Sequence, residues 1–180
     1  WLEDGEFEVD AQVHTVPHFK YLRKQNFPHP DPFLGEIFQG ENPPSNYFSQ
    51  AQKDAIRNVL ASKPGSTSIV NLPTGAGKSL VALVPVFLQK TIKPVVSICI
   101  VPTIALAIDQ EARLREITGD AERNFAYSSD TPEDVRKEIR KNIRNGEQEI
   151  VFVSPEMATS ALVLSLFVAA KEGFLGYFIF

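Results

Sequence analysis

Between Ile69 and Leu88 the sequence reads as a short apolar run, a glycine-rich turn, and a stretch with helical spacing. The turn, Leu72-Pro73-Thr74-Gly75-Ala76-Gly77-Lys78-Ser79, constrains the chain more than any other feature. Gly75 and Gly77 can take backbone angles closed to other residues, so successive N–H groups can point at one anion. A helix that starts directly after the turn aims its positive end at the same place. Lys78 would then reach the β and γ phosphates of a nucleotide, and Ser79 would set its hydroxyl on Mg²⁺. The broadest form of this pattern has glycine six residues before the lysine, where Leu72 stands here. A glycine-rich turn with an incidental lysine is the competing reading. It does not account for strand, glycines, Gly-Lys-Ser and helix in that order.

The remaining grammar agrees. Ser49–Leu60 has helical spacing, with Ala55, Ile56, Val59 and Leu60 on one face. Ile69–Leu72, Val95–Val101 and Ile150–Val153 are apolar runs that predict strands, and Tyr177–Phe180 predicts the start of a fourth. Ser79–Leu88, Ala105–Ile117, Thr131–Asn145 and Ala158–Ala170 predict helices. The helix at 131 has Thr131 as N-cap, Pro132 at the first position and acids in the first turn, and it stops at Asn145-Gly146. Alternating strands and helices predict an α/β domain whose parallel sheet is covered on both faces.

Residues 1–47 follow different rules. Pro17, Pro28, Pro30, Pro32, Pro43 and Pro44 break up regular elements, while aromatics are interleaved with them. Flexible linkers are poor in aromatics, so this segment is expected to dock as an irregular arm. The 18 Lys+Arg and 22 Asp+Glu give a net charge of −4, which excludes binding nucleic acid through a polybasic arm alone. The single cysteine, Cys99, excludes an internal disulfide and reads as small and buried. No apolar run approaches the ~20 residues of a membrane-spanning helix, so no membrane partner is expected.

Four segments in order carry a resemblance: Phe48-Ser49-Gln50-Ala51-Gln52, the Leu72–Leu80 turn, Val101-Pro102-Thr103-Ile104-Ala105-Leu106 with Asp109-Gln110, and Val153-Ser154-Pro155-Glu156. They resemble motifs 0, I, Ia and Ib of superfamily 2 helicases, closest to the RecQ branch, over about residues 48–180. The resemblance implies a P-loop, RecA-like, three-layer α/β/α domain at 48–180, incomplete at its C-terminal end, following the arm at 1–47. It implies ATP and Mg²⁺ as cofactors, and an ATP-driven DNA helicase or translocase as the parent activity. ATP would be held by Phe48, Gln52, Pro73, Thr74, Gly75, Ala76, Gly77, Lys78 and Ser79, with Lys78 and Ser79 catalytic and Ser79 on the metal. Gln52 offers an amide able to pair with an adenine edge, and by resemblance an aromatic such as Phe48 or Tyr47 would lie near the base. Ser49-x-x-Gln52 is also a capping box, which needs both residues only to start a helix. The family commonly has arginine where Ser49 stands.

Pro102, Thr103, Ser154 and Pro155 follow strands, at the edge where parallel sheets bind ligands. By resemblance they would touch a nucleic-acid backbone, expected to be DNA with a single-stranded segment, through hydroxyl and amide contacts that need no positive charge. Simple strand-ending turns are the alternative. The family's acidic pair follows a strand resembling Tyr177–Phe180, so the chain, which starts at Trp1 and stops at Phe180, is expected to be a piece cut before that motif. The acidic residues and a second RecA-like domain of the same parent would lie beyond it. Such a piece is expected to bind nucleotide weakly and not turn it over. Alternatives are a non-motor P-loop module, either a regulatory switch or a phosphotransferase, and a catalytically inactive assembly subunit. An intracellular location is expected.

Two further patterns point elsewhere. The basic stripe Arg136, Lys137, Arg140, Lys141 and Arg144 reads as a solvated helix face with cations favourably near its C-terminus. His14, His18 and His29 lack an acidic or cysteine partner nearby, and Pro17 lies between the first two, against a metal site.

Overall fold

The computed structural model describes residues 6–9, 12–15, 31–40 and 43–180. Strands β1 (Glu6–Val9) and β2 (Gln12–Thr15) pair as an antiparallel hairpin. Helix α1 (Pro32–Ile37) is followed by α2 (Gln50–Ala61), α3 (Lys78–Ile92), β3 (Val96–Ile100), α4 (Ile104–Thr118) and β4 (Ala126–Tyr127). Then come α5 (Glu133–Asn145), β5 (Ile150–Val153), α6 (Pro155–Thr159), α7 (Val163–Lys171) and β6 (Leu175–Ile179).

Four parallel strands form one sheet in the order β4-β5-β3-β6. Side chains alternate across a strand, so β5 feeds two cores at once. Ile150 and Phe152 join the layer built with α2, α3 and α4, while Val151 and Val153 join the layer built with α5 and α7. The result is the three-layer α/β/α arrangement the alternation predicts. Leu34, Phe38 and Tyr47 of the arm are buried in the first of these cores, and the Gly40 N–H donates to Ile117 O at 2.8 Å. The first 30 residues' histidines and prolines other than His14 lie outside the described residues.

Three local expectations are corrected. Ile69–Leu72 is not a strand: Ile69 is 94% exposed, although Val70 and Leu72 pack on the core. Apolar residues alone do not make a strand without a ladder partner, and none of the described strands pairs with this run. Thr131 is not the N-cap of α5, which starts one residue later behind Pro132. Its hydroxyl instead closes the preceding turn, accepting from the Ser128 N–H at 3.1 Å and donating to Ala126 O at 3.2 Å. The helix expected over Ala158–Ala170 is two helices, broken at 160–162. There the Thr159 and Ser160 hydroxyls donate back to the carbonyls of Pro155 and Glu156, offering the backbone an alternative to continued helix.

The arginines of the basic stripe on α5 are tied to neighbours. Arg136 and Arg140 both reach Glu133 at 2.7 Å, and Arg140 donates to the Tyr127 hydroxyl at 2.6 Å. The hydrogen bond from Arg140 holds the Glu133 carboxyl below its usual range.

Candidate functional site

The glycine-rich turn enters α3 at Gly77. Gly75 and Gly77 sit at φ +79° and +75°, the left-handed region that glycine reaches without strain. The Ala76 N–H donates to Pro73 O at 3.1 Å and folds the loop back on itself. Gly77 caps α3 without any side chain, so the first-turn N–H groups, those of Lys78 and Ser79 included, have no side-chain acceptor. Thr74, Gly75, Lys78 and Ser79 are exposed, whereas Ala76 is buried and Pro73 half-buried. The Lys78 ammonium donates to Leu72 O at 3.0 Å, bridging the loop from end to start. An uncapped helix start, two left-handed glycines, an exposed hydroxyl and a lysine over the loop suit an oxygen-rich anion with a divalent cation.

Gln52 ties α2 to this loop. Ser49 caps α2 by accepting from the Gln52 N–H at 3.2 Å, half of a capping box. The other half is displaced by one residue: Gln52 Oε1 accepts from the Phe48 N–H at 2.7 Å. Its Nε2 donates to Gly77 O at 2.8 Å. Gln52 is fully buried, so both ends of its amide are engaged by protein. Phe48 lies against the same glycine and is 57% exposed, which leaves its ring open at the mouth of the loop. Tyr47 faces the other way. Its hydroxyl donates to Asp31 Oδ2 at 2.9 Å, and burial followed by that carboxylate pushes its pKa up to about 12. The Lys53 ammonium sits 5.5 Å from its ring centre. No local spacing pointed to Asp31, because its partner is 16 residues away.

The second cluster lies at the C-terminal ends of the strands. Ile100 of β3 is in register with Val153 of β5, so the residues that follow share one sheet edge. Thr103 is the N-cap of α4, accepting from the Leu106 N–H at 3.2 Å, and Ser154 caps α6 by accepting from the Met157 N–H at 3.4 Å. Both hydroxyls therefore act as caps, and each keeps its proton for donation. Pro102, Thr103 and Pro155 are exposed and Ser154 is half-buried. Two clefts elsewhere share Asp120 and Arg123 with Glu149 or Gln148. They sit where chain enters β4 and β5, at the opposite sheet edge, and neither is lined by residues of the glycine-rich loop. Cys99 is partly buried, and burial pushes its thiol up to about 11. Among the described residues no acidic, histidine or cysteine cluster could hold a metal by itself, and no helix is long and apolar enough to cross a membrane.

Residues 49–179 match the family model described as DEAD/DEAH box helicase. Among curated proteins, the chain is 35% identical over 120 residues to an ATP-dependent DNA helicase Q-like 5 of Arabidopsis thaliana, covering 67% of this chain and 12% of that protein. It is 30% identical over 122 residues to ATP-dependent DNA helicase Q4 of Mus musculus, covering 67% of this chain and 10% of that one. The chain thus spans about a tenth of the length of these relatives. Among solved structures, the DUF1998 helicase MrfA bound to DNA superposes with a TM-score of 0.63 at 26% identity, over 86% of this chain and 22% of that one. A second crystal structure of the same helicase, bound to DNA and AMPPNP, gives 0.63 at 25%, over 86% and 21%.

Proposed function

The chain belongs to the DEAD/DEAH box helicase family, and from that premise we propose that it is the ATP-binding part of an intracellular, ATP-driven DNA helicase or translocase. The observation that carries the reading is the Gly75–Ser79 turn at the uncapped start of α3. When bound, ATP supplies the phosphate bond to be cleaved and Mg²⁺ neutralises charge on its oxygens. The N–H groups of the loop and of the first turn of α3 would hold the phosphates. Lys78, which donates to Leu72 O, would neutralise them, and the Ser79 hydroxyl would hold the metal. Phe48 offers an exposed ring to the base. Gln52 retains one amide proton and one lone pair beyond its two protein bonds, and engaging an adenine edge requires it to share or release those bonds.

Nucleic acid is proposed to lie along the edge formed by Pro102, Thr103, Ser154 and Pro155, with a single-stranded segment of DNA as the track. The two cap hydroxyls donate to phosphate oxygens, which positions the strand without reading its sequence. The DNA named with the helicase MrfA supports this reading. A second RecA-like domain, the expected source of an arginine for the transition state, completes the motor in the intact protein.

The test is ATP turnover by the full-length protein with and without single-stranded DNA. Stimulation by the strand, lost in Lys78→Ala, is the expected result. Turnover that survives Lys78→Ala would overturn the assignment of the loop. Turnover indifferent to DNA would favour a non-motor nucleotide module, and none at all an inactive assembly subunit.

A further inference from the structure

We infer that Asp31, in the arm, is a positioning residue for the nucleotide loop, acting through Tyr47, Phe48 and Gln52. The inference rests on the reading of that loop as the ATP site. Asp31, Tyr47 and Phe48 precede the segment matched by the family model.

The connection is continuous. One oxygen of Asp31 accepts from the Phe33 N–H at 3.3 Å and starts α1, and the other accepts the Tyr47 hydroxyl at 2.9 Å. Helix α1 is itself anchored, because Leu34 and Phe38 are fully buried in the core shared with α3. Tyr47 is 4% exposed, so its ring has no room to swing. The next residue is Phe48, whose N–H is held by Gln52 Oε1 at 2.7 Å, and Gln52 Nε2 holds Gly77 O at 2.8 Å. Every joint from the arm to the loop is a hydrogen bond or a peptide bond. Gly77 is also the cap of α3 and contacts the Phe48 ring, so a shift at Tyr47 moves both the ring offered to the base and the carbonyl that fixes the loop.

A purely structural role for Asp31 would act on α1 alone. The two roles separate because Asp31 uses different oxygens for them. Tyr47→Phe removes only the hydroxyl and keeps the buried ring. Asp31→Asn keeps a good helix cap and a group that can bond the tyrosine.

The experiment measures KM for ATP and kcat of the full-length protein at saturating single-stranded DNA, alongside its thermal midpoint. Tyr47→Phe and Asp31→Ala are expected to raise KM roughly three- to tenfold, the scale of one hydrogen bond, with kcat within about twofold of the parent. Asp31→Asn is expected to restore most of the loss. A Tyr47→Phe variant whose KM stays within about twofold overturns the inference, whether or not its thermal midpoint falls, and so does a drop in kcat at unchanged KM. Lys78→Ala is the control that separates the two claims: if it keeps normal turnover, the loop assignment fails, and if it is inactive while Tyr47→Phe is normal, only the role of Asp31 fails.

Discussion

Gly75 and Gly77 have nearly the same backbone angle, φ +79° and +75°, but very different surroundings. Alanine at either position meets the left-handed penalty of about 1–2 kcal/mol, partly offset by about 0.4–1 kcal/mol from a stiffer unfolded chain. A Cβ at Gly75 has nothing within 4 Å, so Gly75→Ala should cost only about 1 kcal/mol. At Gly77 the same atom would fall 2.2 Å from Gln52 Nε2 and 2.8 Å from Phe48 Cδ2. Gln52 is fully buried and has no free space to turn into, so it must give up its bond to Gly77 O. A buried group left unpaired costs about 1–3 kcal/mol, which puts Gly77→Ala near 3 kcal/mol in total. The difference of about 2 kcal/mol corresponds to roughly 4–8 °C in midpoint for a chain of this size. Urea titrations and thermal melts of the two variants measure it directly. Equal losses within about 0.5 kcal/mol would refute the steric argument, because only the backbone term would then remain. A second check is the pair Gly77→Ala with Gln52→Ala: the closer of the two contacts is gone once Gln52 is truncated, so the two losses should fall short of additive.

Two other outcomes follow from buried groups. Glu111 Oε1 accepts from the N–H groups of Phe125 at 2.6 Å and Ala126 at 2.9 Å, so Glu111→Ala should cost about 2–4 kcal/mol in urea unfolding by orphaning both. Glu111→Gln keeps an acceptor and should cost less than half as much; equal losses would show that those bonds do not hold β4. For Cys99, burial lifts the thiol from 9.0 to about 11, so its contribution to stability is whole below about pH 9 and is lost as pH rises towards 11. Alkylation at about pH 8 should be slow in the folded chain and fast in urea, and fast labelling of the folded chain would contradict the burial.

Short-range signals were readable and long-range ones were not. The Ser49 cap, the stop at Gly146 and strand β5 at Ile150–Val153 each depend on residues within a few positions, and each lies where spacing put it. Ile69–Leu72 has the composition of a strand but lacks a ladder partner, a fact of tertiary pairing that composition does not carry. Thr131 has the side chain of a cap, yet the carbonyl of Ala126 and the N–H of Ser128 compete for it more closely. Asp31 and Tyr47 meet across 16 residues, through a segment with no periodicity to suggest it.

Gln52 shows why the two readings of one residue need not exclude each other. Capping predicts that its amide serves the start of α2, and base recognition predicts that it serves a ligand at the loop. The structure has the amide bridging the two, with the Phe48 N–H on one end and Gly77 O on the other. An amide has two protons and two lone pairs, so these bonds use half its capacity. If the remaining proton and lone pair are to meet an adenine edge, the fully buried side chain must move, and Gly77 and Phe48 must move with it. Base recognition and the shape of the phosphate loop are then one equilibrium, and any group that fixes Phe48 biases both. A nucleotide lacking the base should therefore bind without disturbing Gln52, and tryptophan introduced as Phe48→Trp should report a fluorescence change with ATP that inorganic triphosphate does not produce. The same change with triphosphate alone would separate the two halves of this coupling and remove Gln52 from base recognition.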